Sequence, residues 1–326
     1  MTSSVRILDP EEIEATDAWA SSFMQEGIRL TQSGNDAEAL LYFDRALELR
    51  GRLPTEVPIH AYGLAACWLN RAESLTRLGP TYHGLALHAY DEALALLRPL
   101  SLSDDARFPK RLAIAHQNRA LVLAAQNPPA TVDAVAALVN AIAVLDHAEA
   151  MDSPQREYLL AVACMNLANI QASENTVVSD RAAQESARRA LALVKTHEHE
   201  DGAATEAGLK ARHVLCQIAG RRLSVRAGSE TVMEDVHDAT DLAEEGLGLV
   251  REWERRGVDR FRNLGSDLFR FGALVYAYFQ PHFLHEFVNE QLDPEQSVHS
   301  YVQSREIQDA AQELVLRLRT YSSHHK

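Results

Sequence analysis

Apolar residues recur along this chain at helical spacing, broken at regular points by short polar or Pro/Gly-rich stretches. Val135, Leu138, Val139, Ile142 and Leu145 fall at i, i+3, i+4, i+7 and i+10, which is one face of an α-helix. Leu112, Ala115, Val122 and Leu123 mark a second such face just upstream, with Arg119 as a polar intrusion. Asn127-Pro128-Pro129-Ala130-Thr131 lies between them and reads as a helix stop followed by a restart. No segment sustains the period-two alternation of a half-buried strand. The pattern predicts an all-α chain.

The helical pattern repeats. Asn70, Asn118 and Asn166 stand 48 residues apart, each followed two positions later by an alanine: Ala72, Ala120 and Ala168. A second ladder of Ala46, Ala93, Ala141 and Ala190 advances in steps of 47, 48 and 49, with Phe43, Tyr90, Leu138 and Ala187 three residues before each. Two interlocked ladders with one period predict a tandem repeat of helix pairs. The alanines allow close helix crossings, and the large residues one turn earlier fill the space beside them. One pair cannot bury its own apolar faces, so pairs must stack into a solenoid with a concave surface.

Local punctuation agrees with this reading of paired helices. Asp9-Pro10-Glu11-Glu12 supplies an N-cap, a first-turn proline and a glutamate placed to cap back. Gly34-Asn35-Asp36 ends one helix and starts the next. Further breaks are expected at Pro54 and Pro58, Gly79-Pro80, Pro99 to Pro109, Pro154, Asn175 to Ser179, Gly202, and Gly228-Ser229.

The segment GNDAEALLYFDRALELR, Gly34 to Arg50, resembles the turn and second helix of a tetratricopeptide repeat (TPR) through Gly34, Ala39, Phe43 and Ala46. Phe23, Gly27 and Leu30 fall where the motif places an aromatic, a small and a large residue. Asn-Arg-Ala at 70–72 and 118–120 and Asn-Leu-Ala at 166–168 resemble the centre of its first helix, with weaker copies at Gln217-Ile218-Ala219 and Asn263-Leu264-Gly265. The resemblance spans roughly residues 10–320 and is strongest in the first four units. The common repeat is about 34 residues, so this is a long-helix variant with a repeat of about 48 residues. The extra length falls after each second helix and before the next first helix, and is expected to lengthen both. The resemblance implies a right-handed superhelical solenoid of about six antiparallel helix pairs. Residues 9–256 would form the repeats, 1–8 a flexible N-terminus, 257–321 aromatic-rich capping helices and 322–326 a flexible tail.

In TPR proteins the first helices line the concave face, where asparagine hydrogen-bonds the backbone of an extended peptide. By that resemblance the groove would be lined by Asn70, Glu73 and Arg77, then by Ile114, Gln117, Asn118 and Leu121, then by Met165, Asn166 and Asn169. An amide suits the task because it both donates and accepts. The same asparagines could instead bond the carbonyl of a neighbouring helix. The surface lacks the two-lysine arrangement of the family's carboxylate clamps, so recognition of acidic chain ends is not expected.

Composition narrows the classes. A net charge of -14 repels nucleic-acid phosphates and anionic membranes, and no run of Lys and Arg stands out. Neither a signal peptide nor an apolar stretch long enough to span a membrane is read, and a cytoplasmic location is expected. Cys67, Cys164 and Cys216 have wide spacings and no CxxC, so buried thiols are expected. His282, His285 and Glu286 share a spacing that could meet a metal; His197-Glu198-His199-Glu200-Asp201 reads as a solvated polar loop, and His324-His325 as a tail. Six of nine phenylalanines lie between Phe261 and Phe287, read as a capping unit or, alternatively, a homodimer surface or a pocket for an apolar ligand. No nucleotide or nucleophile motif is found, and no cofactor or bound metal is expected. The expectation is a non-enzymatic scaffold or adaptor holding a peptide segment of a partner protein. The alternatives are a ligand- or peptide-responsive regulator and, third, a metal-dependent enzyme built on the His282–Glu286 region.

Overall fold

The computed structural model describes residues 9–226, 230–279 and 287. Among them every regular element is helical: α1 (Pro10–Gln32), α2 (Asp36–Arg50), α3 (Pro58–Arg77), α4 (His83–Leu97), α5 (Arg107–Ala124), α6 (Thr131–Asp146), α7 (Ser153–Ser173), α8 (Val177–Val194), α9 (Gly202–Arg226), α10 (Glu230–Arg255) and α11 (Arg262–Phe279), with a short 3-10 turn at Pro80–Tyr82. The odd-numbered helices α1 to α9 begin at residues 10, 58, 107, 153 and 202, which reproduces the 48-residue period. Five helix pairs are therefore described, and α11 begins a further one. Gly228-Ser229, between α9 and α10, and the His282–Glu286 and His324-His325 segments lie outside the described residues.

Local chemistry sets the helix ends. Asp9 caps α1 by accepting from the Glu12 amide at 2.8 Å, and Glu12 accepts from the Asp9 amide at 3.2 Å, with Pro10 in the first turn. Thr176 and Ser179 form the same reciprocal box at the start of α8. Gly34 ends α1 at φ 80°, a left-handed conformation that glycine adopts without a Cβ penalty. Asn35 precedes α2 as expected but makes no capping bond; its amide turns to Ser33 Oγ at 3.4 Å instead. Between pairs run residues 51–57, 98–106, 147–152 and 195–201. The long repeat thus arises from long helices together with these connections.

The chain divides into two compact units, residues 1–166 and 167–326. In the first, each helix from α1 to α5 packs on its successor. The ladder alanines Ala46, Ala93 and Ala141 and the motif alanines Ala72 and Ala120 are fully buried, as are Phe43, Tyr90 and Leu138. Small residues at these crossings let the helix axes approach. Gly27 shows how tight the contact is, since a Cβ there would lie 2.5 Å from the Phe43 ring. Arg50 ties three helices together. Its Nη1 donates to the Gly63 carbonyl of α3 at 2.8 Å, and Nε and Nη2 donate to Asp17 and Ser21 of α1 at 3.1 and 2.9 Å.

The second unit has a core of Leu209, Cys216, Leu223, Val236, Leu247, Phe261, Leu268, Phe269 and Phe271, contributed by α9, α10, α11 and the turn before α11. Trp253 packs edge-on against Phe261, and Phe269 stacks on Phe287 at 5.5 Å. The aromatic residues that stand out in the sequence are therefore turned inward where they are described. Phe283 lies outside the described residues.

One expectation is corrected here. The 197–201 segment is not simply a solvated loop, because Glu198 is buried and bonded to the equally buried Arg212 at 2.5 and 3.0 Å. The Glu198 carbonyl also accepts from Thr205 Oγ1 at 2.6 Å and Trp253 Nε1 at 3.1 Å. His199 meets Glu252 at 2.7 Å. A buried charge persists only where a partner compensates its lost hydration, so the loop anchors α9 to α10. All three cysteines are buried and outside any disulfide, and burial pushes the Cys67 thiol up to about 11 and the Cys216 thiol up to about 12.

Candidate functional site

α3 and α5 are first helices of successive pairs, and a cleft opens between them in the first unit. Leu69, Asn70 and Glu73 line one wall with Tyr62; Arg107, Lys110, Arg111, Ile114 and Asn118 line the other. Its volume is ≈ 260 Å³. The α5 residues fall at i, i+3, i+4, i+7 and i+11, one stripe of a helix. The same periodicity that buries Ala115, Ala120 and Val122 on one side turns this stripe to the cleft.

Both asparagines on the cleft are half-buried and already engaged. Asn70 Nδ2 donates to the Ala66 carbonyl at 2.8 Å, one turn back in its own helix. Asn118 hydrogen-bonds the Tyr90 hydroxyl, which Thr76 of α3 also reaches. Burial pushes that phenol up to about 12, so it stays neutral and bridges α3, α4 and α5. Each asparagine therefore holds an internal bond and also fronts the cleft. An amide has capacity for both.

The other predicted groove residues are dispersed. Arg77 bonds Asp36 at 2.8 Å and Glu73 at 2.7 Å, tying α3 to α2. Gln117 is buried and donates to the Leu159 carbonyl of α7 at 3.3 Å. Met165 is buried, Asn166 half-buried, Leu121 and Asn169 exposed, and none of these four lines the cleft. The structure thus brings Asn70, Glu73, Ile114 and Asn118 together on one cleft.

Four cleft residues escaped the sequence reading: Tyr62, Arg107, Lys110 and Arg111. The signal is present as Arg107-Phe108-Pro109-Lys110-Arg111, three cations in five residues, in a chain where no basic run is expected. Arg107 is neutralised by Asp105, with Nη2 to Oδ2 at 2.6 Å. That contact holds the Asp105 carboxyl below its ordinary range. Arg111 lies over the Tyr62 ring, 4.7 Å from its centroid, and its Nε donates to the Tyr62 hydroxyl at 3.0 Å.

No family model matches this sequence, and no curated protein does. Among solved structures the chain is similar to a Podospora anserina protein described as a kinesin light chain with nearly identical TPR-like repeats. The two share 16% identity and a TM-score of 0.51 over 76% of this chain and 100% of that one. The fold is TPR-like. At this identity the likeness concerns architecture alone. It agrees with the paired helices described above. Among the described residues no helix is long and apolar enough to cross a membrane, and no three His, Cys, Asp or Glu side chains cluster as a metal site.

Proposed function

We propose that this protein is an interaction scaffold that holds an extended segment of a partner protein in the cleft between α3 and α5. A TPR-like fold generally serves protein interaction. The observation that carries the finer reading is the shared position of Asn70 and Asn118 on one cleft beside Leu69 and Ile114. Amides read a peptide main chain without requiring a charge, and the two aliphatic side chains offer apolar burial. The asparagines are held in place by Ala66 and Tyr90, so little side-chain freedom remains to be lost on binding. The aromatic end of the chain and a homodimer through it play no part in this reading. No cofactor and no catalytic step is involved.

Linear 12-residue peptides selected from a random phage-displayed library against the whole chain test this. Ile114→Trp fills the cleft without touching either amide and is expected to abolish binding. The double variant Asn70→Ala, Asn118→Ala is expected to weaken it about tenfold, equivalent to about 1.4 kcal/mol. Unchanged affinity in both variants, with melting curves like the parent, would refute the cleft as the binding site. So would a library that yields no binders.

A further inference from the structure

We infer that α1 and α2 together form a second docking surface, and that it takes a basic segment of a partner protein whose lysine or arginine side chain reaches Glu38 beside the Phe23 and Tyr42 rings. The surface shares no residue with the cleft between α3 and α5, so it stands independently of the cleft reading.

The shape is the first support. Phe23 of α1 and Leu41 and Tyr42 of α2 line a hollow of ≈ 630 Å³ that Glu38, Arg45 and Glu48 also border. The α2 residues fall at i, i+3, i+4, i+7 and i+10 from Glu38, one stripe about 15 Å long. Phe23 and Tyr42 pack against the core of Met24, Leu30, Ala39 and Phe43, with ring centroids 6.3 Å apart and planes tilted by 48°. That packing fixes both rings while each still lines the hollow. Leu41 is 65% exposed, and Trp19, one turn before Phe23 on α1, is 66% exposed. Large apolar side chains gathered on one face mark an interaction surface, whereas single scattered ones do not.

The next helix pair supplies the second. Phe23, Gly27 and Leu30 return at the same spacing as Trp68, Ala72 and Leu75, so Glu26 corresponds to Arg71. Leu41 and His88 correspond likewise, each two residues before the buried aromatics Phe43 and Tyr90. In the second pair the chain covers its own aromatic ring. The Arg71 guanidinium lies over Trp68 at 5.8 Å, and His88 meets the same ring edge-on. In the first pair an acid replaces that arginine and an exposed leucine replaces the histidine. No Lys or Arg lies over Phe23 or Tyr42 among the described residues. A ring face attracts a cation, and here the chain does not provide one.

The third is the charge around the hollow. Asp44 is held by Arg71, and Glu48 by Arg45 and Arg52. Glu38 has no Lys or Arg within ion-pair distance among the described residues. Arg29 feels the Glu38 charge through space but is bound to Glu26, by Nε at 2.8 Å and Nη2 at 2.5 Å. Glu38 stands one turn before Tyr42, so its carboxylate and the ring can meet the same ligand group. A lysine or arginine satisfies both, and its aliphatic stem covers apolar surface such as Leu41. A phosphate or carboxylate would be repelled by Glu38. An isologous contact with a second copy would bring it no available cation, because Arg45 and Arg29 are already held by Glu48 and Glu26. The net charge of -14 draws basic segments in from a distance.

The same 12-residue phage library is selected against the Ile114→Trp chain, in which the cleft is filled. The expected result is peptides that join Lys or Arg to an aromatic or aliphatic residue. Their affinity should fall about fivefold on Glu38→Gln and on Leu41→Ser, both surface changes whose melting curves should match the parent. Replacing the enriched cation of a synthetic peptide by Gln should cost about fivefold against the parent and nothing further against Glu38→Gln. Binders without basic enrichment, or a Glu38→Gln chain that still discriminates the two peptides, would overturn the cation assignment. Binders indifferent to Leu41→Ser and Glu38→Gln, or no binders at all, would overturn the docking surface. A parent that sediments as a dimer and becomes a monomer on Leu41→Ser would overturn it in favour of a second copy. Because Ile114→Trp is present throughout, none of these outcomes turns on the cleft reading.

Discussion

Arg119 Nε donates to Asp91 Oδ1 at 2.7 Å, and one repeat earlier Arg71 Nε donates to Asp44 Oδ1 at the same distance. The polar intrusion in the first helices α3 and α5 is thus one half of an ion pair with the preceding second helix. Asp44 and Asp91 follow directly after Phe43 and Tyr90, so the pair sits at the rim of each close crossing. In the third copy both charges are replaced together, with Val139 and Leu167 at the corresponding positions.

Arg119→Leu is therefore expected to cost more alone than with Asp91→Val. The pair is partly solvated, with Asp91 54% exposed, so the coupling should be about 0.5 kcal/mol. A double-mutant cycle on urea midpoints measures it. Coupling indistinguishable from zero would make the recurrence a matter of solubility.

The buried Arg212–Glu198 pair in the second unit should behave differently. Arg212→Met strips the buried cation from a carboxylate that is 2% exposed, and should cost about 3–5 kcal/mol. Adding Glu198→Gln should restore part of that loss, because neither charge of the pair then remains buried. Guanidinium unfolding monitored by Trp253 fluorescence reports on this unit, and a mild effect of Arg212→Met alone would contradict this account.

Gly27 offers a test of packing against propensity. Alanine in a helix interior is ordinarily favoured over glycine by about 1 kcal/mol. Here the added Cβ would meet Phe43 Cε1 at 2.5 Å. Gly27→Ala should therefore destabilise by about 1–3 kcal/mol, and Phe43→Leu in the same chain should relieve part of the loss. A thermal melt in which Gly27→Ala is neutral or stabilising would show that the ring moves aside freely.

His116 makes stability depend on mild acid. Burial lowers it from 6.5 to about 4, and Arg98 and Arg119 push the same way. The unfolded chain takes up this proton near pH 6.5, and the folded chain only near pH 4. Stability is thus intact above that window and is lost as pH falls through it, by at most about 3 kcal/mol. His116→Asn removes the titration, so the stability difference between parent and variant should shrink from about pH 7 to about pH 4 in chemical unfolding. A constant difference would mean that His116 is solvated enough to titrate normally.

Much of the fold was legible because repeated packing leaves repeated residues. Ala46, Ala93 and Ala141 must be small for the same geometric reason, and one period runs through all of them. Helix ends were legible where the signal is local, as with Asp9 and Glu12. The cleft was legible only in part. Asn70, Glu73, Ile114 and Asn118 share it, but Gln117 and Met165 carry the same helical phase to within one residue and are buried against neighbouring helices. A helix turns about 100° per residue, so one position separates a groove from an interface. The 197–201 segment read as solvated because nothing local shows that Arg212, fourteen residues past Glu198, folds back onto it.

Taken alone, the order of residues determined the class, the period and the paired helices of this protein, since these follow from side-chain size and hydropathy along a single helix. Which polar groups remain available was decided only by tertiary structure. Arg107, Arg111 and Arg119 are alike in sequence, yet Asp105 neutralises the first and Asp91, on another helix, the third. Arg111 rests on Tyr62 of α3, with no carboxylate beside it among the described residues. Ion pairing acts over a few ångströms in space and not along the chain, so only the packed helices separate the cations held by carboxylates from those that are not.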